Sequence, residues 1–331
     1  MNRISRLRRV GTARAMLAET QLRAEQLVLP MFVSHGDDTY REIASLPGQY
    51  QRGVEHLEPL VNAAWTNGVK SVLLFGIPAT KDLIGSASWS SEGPVPRAIA
   101  AIKQTHADMV VIADVCLCEY TAHGHCGVLD DRQCIDTDAT LPLLSRIAVA
   151  YAQAGADIVA PSAMVDGQVA SIRAALDTAG FPNVAILSYS SKFASAFYGP
   201  FRNAVATTLV SGDRASHQLP IGNVREALRE SARDQAEGAD MLMVKPAGAY
   251  LDILTRLRER TDLPLVAYQV SGEYAMLKAA VERGWLDEER AVVESLVAIR
   301  RAGADLIISY YAVDAARWLN ASHQRTSGTE S

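Results

Sequence analysis

Eight short runs rich in Val, Ile and Leu recur along this chain, at 27–33, 71–76, 109–115, 157–161, 184–189, 241–244, 265–270 and 306–310. They lack the polar alternation of a half-exposed strand, so each suits a strand buried on both faces. Between most of them lie helix-length segments with apolar residues three and four apart, as at 148–154, 224–236, 250–257 and 291–299. The junctions repeat as well. Ala-Gly-Ala-Asp closes a helix at Gly155 and again at Gly303, with Gly238 and Gly68 in matching places, and a strand follows at once. Glycine there closes the last helical turn in a left-handed conformation. Strands alternating with helices predict a parallel sheet, and eight is the number that closes a (β/α)8 TIM barrel. A doubly wound open sheet is the rival. It would carry a glycine-rich phosphate loop after its first strand, and none is present.

The 331 residues suit one such barrel. The division expected is an arm at 1–25, a catalytic barrel at 26–320 and a flexible polar tail at 321–331. A formal net charge of −5 gives no reason to expect nucleic acid or a membrane surface. No apolar run approaches the roughly 20 residues of a membrane span. The start is basic: Arg3, Arg6, Arg8, Arg9 and Arg14 all precede the first acid, Glu19. Such a start is either an organellar transit peptide or a solvated arm. Nothing after Leu17 resembles a cleavage site, which favours the arm and a cytoplasmic protein. Val10, Ala13, Met16 and Leu17 are spaced for one apolar face. A helix this short is marginal alone, so the arm needs another surface.

In a barrel, reactive groups sit at the carboxyl ends of the strands. Asp114, Ser162, Lys192, Lys245, Ser271 and Tyr310 occupy those ends. Lys245 ends a buried run, where a lysine is costly unless it snorkels, pairs with an acid or serves as a nucleophile. Lys192 ends the neighbouring run. Two adjacent amines disfavour each other's charge and burial pushes the same way, so both pKa values are expected to fall. The four cysteines, Cys116, Cys118, Cys126 and Cys134, fall within one 19-residue window. Without a secretory signal they read as metal ligands rather than disulfides. Cys116 and Cys118 alternate on an extended chain, and Cys126 follows His123, Gly124 and His125. Three thiolates suit zinc with a position open for catalysis, while a histidine as fourth ligand would make a closed structural site. Cys134 is expected to be a free buried thiol. The segment 190–218 lacks periodicity and reads as a long functional lid containing Phe201, Arg202 and Arg214. Two arginines there either clamp a carboxylate or lie on a solvated surface.

Five strings in order closely resemble the porphobilinogen synthase (5-aminolaevulinate dehydratase) family. They are Asp-Val-Cys-Leu-Cys-Glu-Tyr-Thr-Ala-His-Gly-His-Cys-Gly at 114–127, Ala-Pro-Ser-Ala-Met at 160–164, Tyr-Ser-Ser-Lys-Phe-Ala-Ser-Ala-Phe-Tyr-Gly-Pro-Phe-Arg at 189–202, Met-Val-Lys-Pro-Ala-Gly-Ala-Tyr at 243–250 and Tyr-Gln-Val-Ser-Gly-Glu-Tyr at 268–274. The resemblance runs from about residue 7 to residue 311. It implies condensation of two 5-aminolaevulinate molecules to porphobilinogen, an early step of tetrapyrrole synthesis. It implies a Schiff base from Lys245 to the first substrate and from Lys192 to the second, with Asp114 in the catalytic group. Tyr268, Ser271 and Tyr310 would contact the first substrate. Phe201, Arg202, Arg214, Gln218 and Ser162 complete the implied substrate contacts, the arginines and Gln218 on the second carboxylate. Cys116, Cys118 and Cys126 match the zinc-type pattern, Glu230 matches an allosteric magnesium ligand, and the basic arm matches one that wraps a neighbour in a homo-octamer. Competing readings are a class I aldolase, which would use one lysine and no metal, and a zinc-binding barrel that has lost catalysis.

Overall fold

A computed structural model describes residues 4–205, 207 and 214–327. Ten strands form one sheet: β1 (Leu27–Ser34), β2 (Tyr40–Glu42), β3 (Tyr50–Arg52), β4 (Ser71–Ile77), β5 (Val110–Val115), β6 (Ile158–Pro161), β7 (Ala185–Lys192), β8 (Met241–Lys245), β9 (Leu265–Gln269) and β10 (Leu306–Ser309). The order is β1-β4-β5-β6-β7-β8-β9-β10, all parallel, and β10 pairs back onto β1. The eight predicted runs are the eight strands of this closed barrel. The short antiparallel pair β2–β3 hangs from the end of β1, where Phe32 pairs with Gln51. Neither run is apolar, and β2 is exposed throughout. Hydrophobic periodicity therefore gives no sign of them.

Every residue of β4 is buried, as are all residues of β1 but the last. Burying a Val, Leu or Ile side chain stabilises by about 1.5–3 kcal/mol relative to exposure, so the barrel wall is a rigid frame for the groups at its rim. The helices pack outside. Thr137–Ala154 starts where the Asp136 carboxylate accepts from the Ala139 amide, and it closes on Gly155 at φ 102°. That cap feeds directly into β6, as the repeated junction predicts. The final helix, Ala312–Ser327, runs past residue 320, where the polar composition predicts a flexible tail. Among the described residues no helix is long and apolar enough to cross a membrane. The described part of the arm holds a 3-10 turn, Ile4–Arg8, and one helix, Gly11–Met16. Val10, Met16 and Leu17 on this arm are each more than half exposed.

Candidate active site

The carboxyl ends of the strands surround a narrow cavity lined by Phe75, Cys118, Glu119, Ser162, Lys192, Tyr198, Phe201, Arg214, Lys245, Tyr268, Val270, Ser271 and Tyr310. Lys192 and Lys245 are register partners on β7 and β8. Both are buried. Lys192 Nζ donates to the Ser162 carbonyl at 2.5 Å. Ser162 Oγ donates to Asp114 Oδ2 at 3.0 Å, which links β5, β6 and β7 at one wall. Lys245 Nζ lies instead in an aromatic cage, 4.4 Å from the Tyr268 ring centroid and 4.9 Å from that of Tyr189, with Phe201, Tyr198 and Phe75 further out.

These different surroundings split the two amines. Burial, and then the neighbouring Lys192 charge, brings Lys245 down to about 7. Burial pushes Lys192 down as well, but Cys126, Cys116, Cys118 and Asp114 outweigh it and hold Lys192 above the usual lysine value. This corrects the expectation that both amines are depressed. The thiols reach Lys192 across the cavity, and sequence distance hides that proximity.

Cys116, Cys118 and Cys126 are buried, and their sulfurs all lie within 4.8 Å of one another. Cys116 Sγ and Cys118 Sγ are 3.4 Å apart. Tetrahedral zinc at the usual Zn–S length puts sulfurs about 3.8 Å apart, so the donor set fits a thiolate-bound metal. Cys126 is held well below the ordinary thiol range by hydrogen bonds from Cys116 and Cys118. His123 is not turned toward the sulfurs. Its Nε2 meets the Leu83 carbonyl at 3.1 Å, and its Nδ1 accepts from the His125 amide at 3.1 Å. Cys118 lines the cavity, which places one edge of the triad toward the lysines. Cys134 stands apart and is exposed, not buried. It ends a surface turn in which Asp130 Oδ1 accepts from the Arg132 and Cys134 amides at 2.9 and 2.8 Å.

Four predicted site residues, Asp114, Arg202, Arg214 and Gln218, each have a buried polar atom with no hydrogen-bond partner among the described residues. Buried groups are rarely left so unless something else satisfies them. Arg214 is buried and anchors one end to the Gly124 carbonyl at 2.9 Å, and its Nε has no partner among the described residues. Arg202 sits on the short helix Gly199–Ala204. Tyr268 and Tyr310 share a hydroxyl contact at 3.2 Å, and Ser271 Oγ accepts from the Phe201 amide at 3.0 Å. The segment predicted as a lid is more ordered than its lack of periodicity suggests. β7 continues to Lys192, and the turn Ala196–Tyr198 and helix Gly199–Ala204 follow. Residues 206 and 208–213, including Gly212, lie outside the described residues.

Gln218 and Glu230 line a neighbouring recess together with Asp166 and Glu226, not the lysine cavity itself. Burial, and then Asp166, pushes Glu230 up. Glu119 was not singled out from the sequence. It is buried beside Cys118, 3.2 Å from that sulfur, and burial raises it to about 8. An acid directly after Cys-Leu-Cys in an apolar context was the available signal.

Fold and cavity are those of a (β/α)8-barrel enzyme whose site lies at the carboxyl ends of its strands. The delta-aminolevulinic acid dehydratase family model matches residues 1–318. A delta-aminolevulinic acid dehydratase from Escherichia coli (strain K12) is 53% identical over 316 residues, 96% of this chain and 97% of that one. One from Halalkalibacterium halodurans is 50% identical over 315 residues, 95% of this chain and 96% of that one. The crystal structure of delta-aminolevulinic acid dehydratase (porphobilinogen synthase) from Toxoplasma gondii ME49, in complex with the reaction product porphobilinogen, matches with a TM-score of 0.96. It is 42% identical and covers 100% of this chain and 95% of that chain. The chain belongs to the delta-aminolevulinic acid dehydratase family.

Proposed function

We infer that this chain is a hydro-lyase that condenses two molecules of 5-aminolaevulinate to porphobilinogen with loss of two waters. The observation that carries this reading is the pair Lys192 and Lys245, in register on adjacent strands and facing one cavity. Each substrate is a ketone, and each amine forms an imine by adding nitrogen to the carbonyl carbon and expelling the oxygen as water. Lys245, at about 7, holds a large neutral fraction near neutral pH and takes the first substrate. Ser271 and Tyr310 hold that substrate's carboxylate, with Tyr268 beside them. Lys192 takes the second substrate, whose carboxylate reaches toward Arg202, Arg214 and, in the adjoining recess, Gln218, each with a donor that has no partner among the described residues. Asp114 and Ser162 position polar atoms of the reacting pair, and Phe201 with the other rings excludes water. Zinc held by Cys116, Cys118 and Cys126 would supply Lewis acidity at the second substrate. Magnesium at Glu230 is a regulatory proposal resting on the family resemblance and the carboxylates gathered there.

Incubation with 5-aminolaevulinate is expected to give the pyrrole, and a zinc chelator is expected to suppress it. No pyrrole from metal-replete protein overturns the assignment. Aldol cleavage indifferent to chelation would favour a class I aldolase instead.

We further propose a cytoplasmic homo-octamer in which the arm covers a neighbouring subunit. The exposed Val10, Met16 and Leu17 support this, since an apolar face on so short a helix needs another surface. Deleting residues 1–20 is expected to give a smaller species by light scattering, with lower activity. Unchanged mass after truncation makes the arm a simple tail.

A further inference from the structure

Strand β7 turns both Tyr189 and Lys192 to the inside of the barrel, where a regular strand would turn only one of them. Tyr189 and Lys192 are three residues apart, so an unbroken pleat would place them on opposite faces. Here Ser188 pairs with Leu242 and Ser191 with Val244, so β7 carries one residue more than β8 over this stretch. Ser188 faces outward to Asp234, and Ser191 faces outward to Ser231 and the Ala227 carbonyl. The bulge lets Tyr189 and Lys192 both face the amine site, a re-aiming that bulges commonly perform beside active sites.

The Tyr189 ring centroid lies 4.9 Å from Lys245 Nζ and 5.6 Å from Lys192 Nζ. Of the rings around Lys245 described above, it is the one that also faces Lys192. Tyr189 is fully buried with its hydroxyl set against the Asp114 carboxyl, and neither that hydroxyl nor Asp114 Oδ1 makes a well-aligned hydrogen bond among the described residues.

We propose that Tyr189 is a catalytic residue shared by the two imine sites, its ring facing the positive charge on both nitrogens and its hydroxyl donating to the substrate oxygen brought beside Asp114. The proposal rests on the Schiff-base reading above. In that reaction a neutral amine and a ketone, with one proton taken up from water, give a cationic imine and release water, so charge develops over the ring during the step. A cation within about 6 Å of an aromatic face is attracted by the ring quadrupole, most strongly where water is excluded. Burial, and then Asp114, holds the Tyr189 hydroxyl well above the ordinary tyrosine range, so it is a phenol and a donor. The hydroxyl of an amine–ketone adduct both accepts and donates. It therefore accepts from the Tyr189 phenol and pairs with Asp114, taking the place of the present contact between those two side chains. Tyr189 itself gains and loses no bond.

The test is borohydride trapping of 5-aminolaevulinate at each lysine of the full-length, zinc-replete enzyme, read by peptide mass. Phenylalanine and its mono-, di- and trifluorinated analogues at position 189 keep the ring's shape while weakening its negative face. Trapping at both lysines is expected to fall stepwise, by about tenfold across the series. The pH midpoint of trapping at Lys245 is expected to move down, because the ammonium form loses its ring. Tyr189→Phe alone is expected to lower kcat about tenfold with little change in KM. A flat fluorine series, or a fall at one lysine only, overturns the shared role. Wild-type kcat in Tyr189→Phe overturns the role of the hydroxyl. Wild-type enzyme that traps no substrate at either lysine overturns the Schiff-base reading itself, so the two failures are distinct.

Discussion

Lys245→Ala is expected to lower porphobilinogen formation by about 10⁴-fold or more, the loss typical of removing a covalent nucleophile. An ordinary lysine near pKa 10.4 is neutral in only about one molecule in 2,500 at pH 7. Lys245, brought to about 7 by burial and by Lys192, is neutral in roughly half. Trapping at Lys245 should therefore rise as pH climbs through about 7 and level off above it. The same shift has a stability consequence of definite sign. The folded pKa lies below the unfolded one, so between about 7 and 10.5 the unfolded chain binds more protons and stability from this group rises with pH. Below about 7 the buried ammonium costs of order a few kcal/mol. Lys245→Met removes that cost while filling the space between Tyr268 and Tyr189. It is expected to be inactive yet to melt higher than wild type at pH 6, a trade of stability for function. Near-wild-type turnover in Lys245→Ala, measured as pyrrole formed per subunit, sinks the assignment.

The barrel was legible because strands buried on both faces leave continuous apolar runs, and because the strand-end lysines fall on consecutive runs. Lys192 and Lys245 then meet as register partners. The reading failed where burial is achieved by polar pairing. β7 ends in Ser-Tyr-Ser-Ser-Lys, and its serines are buried against the helix Val224–Ala236 through Asp234, Ser231 and the Ala227 carbonyl. An apolar-run criterion stops the strand three residues early and assigns the rest to a loop. The inward turn of Tyr189 was invisible for a related reason. A bulge is a relation between two strands, and no property of β7 alone encodes it. Nor does the sequence tell the two amines apart. What separates Lys245 from Lys192 is an aromatic cage on one side and thiols on the other, assembled from β4, β5, β7, β8 and β9 with the loops that follow them. Cys134 shared the local spacing of its three relatives, but the Asp130 turn carries it to the surface.

Cys118→Ala should test the metal reading most directly. Of the three thiols, Cys118 is the one that lines the lysine cavity, so its loss removes a ligand without opening the barrel wall. Disturbing groups one shell beyond a metal ligand commonly costs 10–100-fold in affinity. Removing a ligand itself should cost about 100-fold or more. Activity at limiting zinc should fall in step, and excess zinc should restore part of it through the remaining Cys116 and Cys126. Thiolates must be free of protons to bind, so affinity should also weaken as pH falls. Trapping at Lys245 should survive in Cys118→Ala. Its cage is aromatic, and burial and Lys192 set its pKa more than Cys118 does. Elemental analysis and a zinc titration of pyrrole formation decide the matter. Fully active protein without zinc, or a Cys118→Ala variant with wild-type metal content and turnover, would leave the three thiols a merely structural cluster.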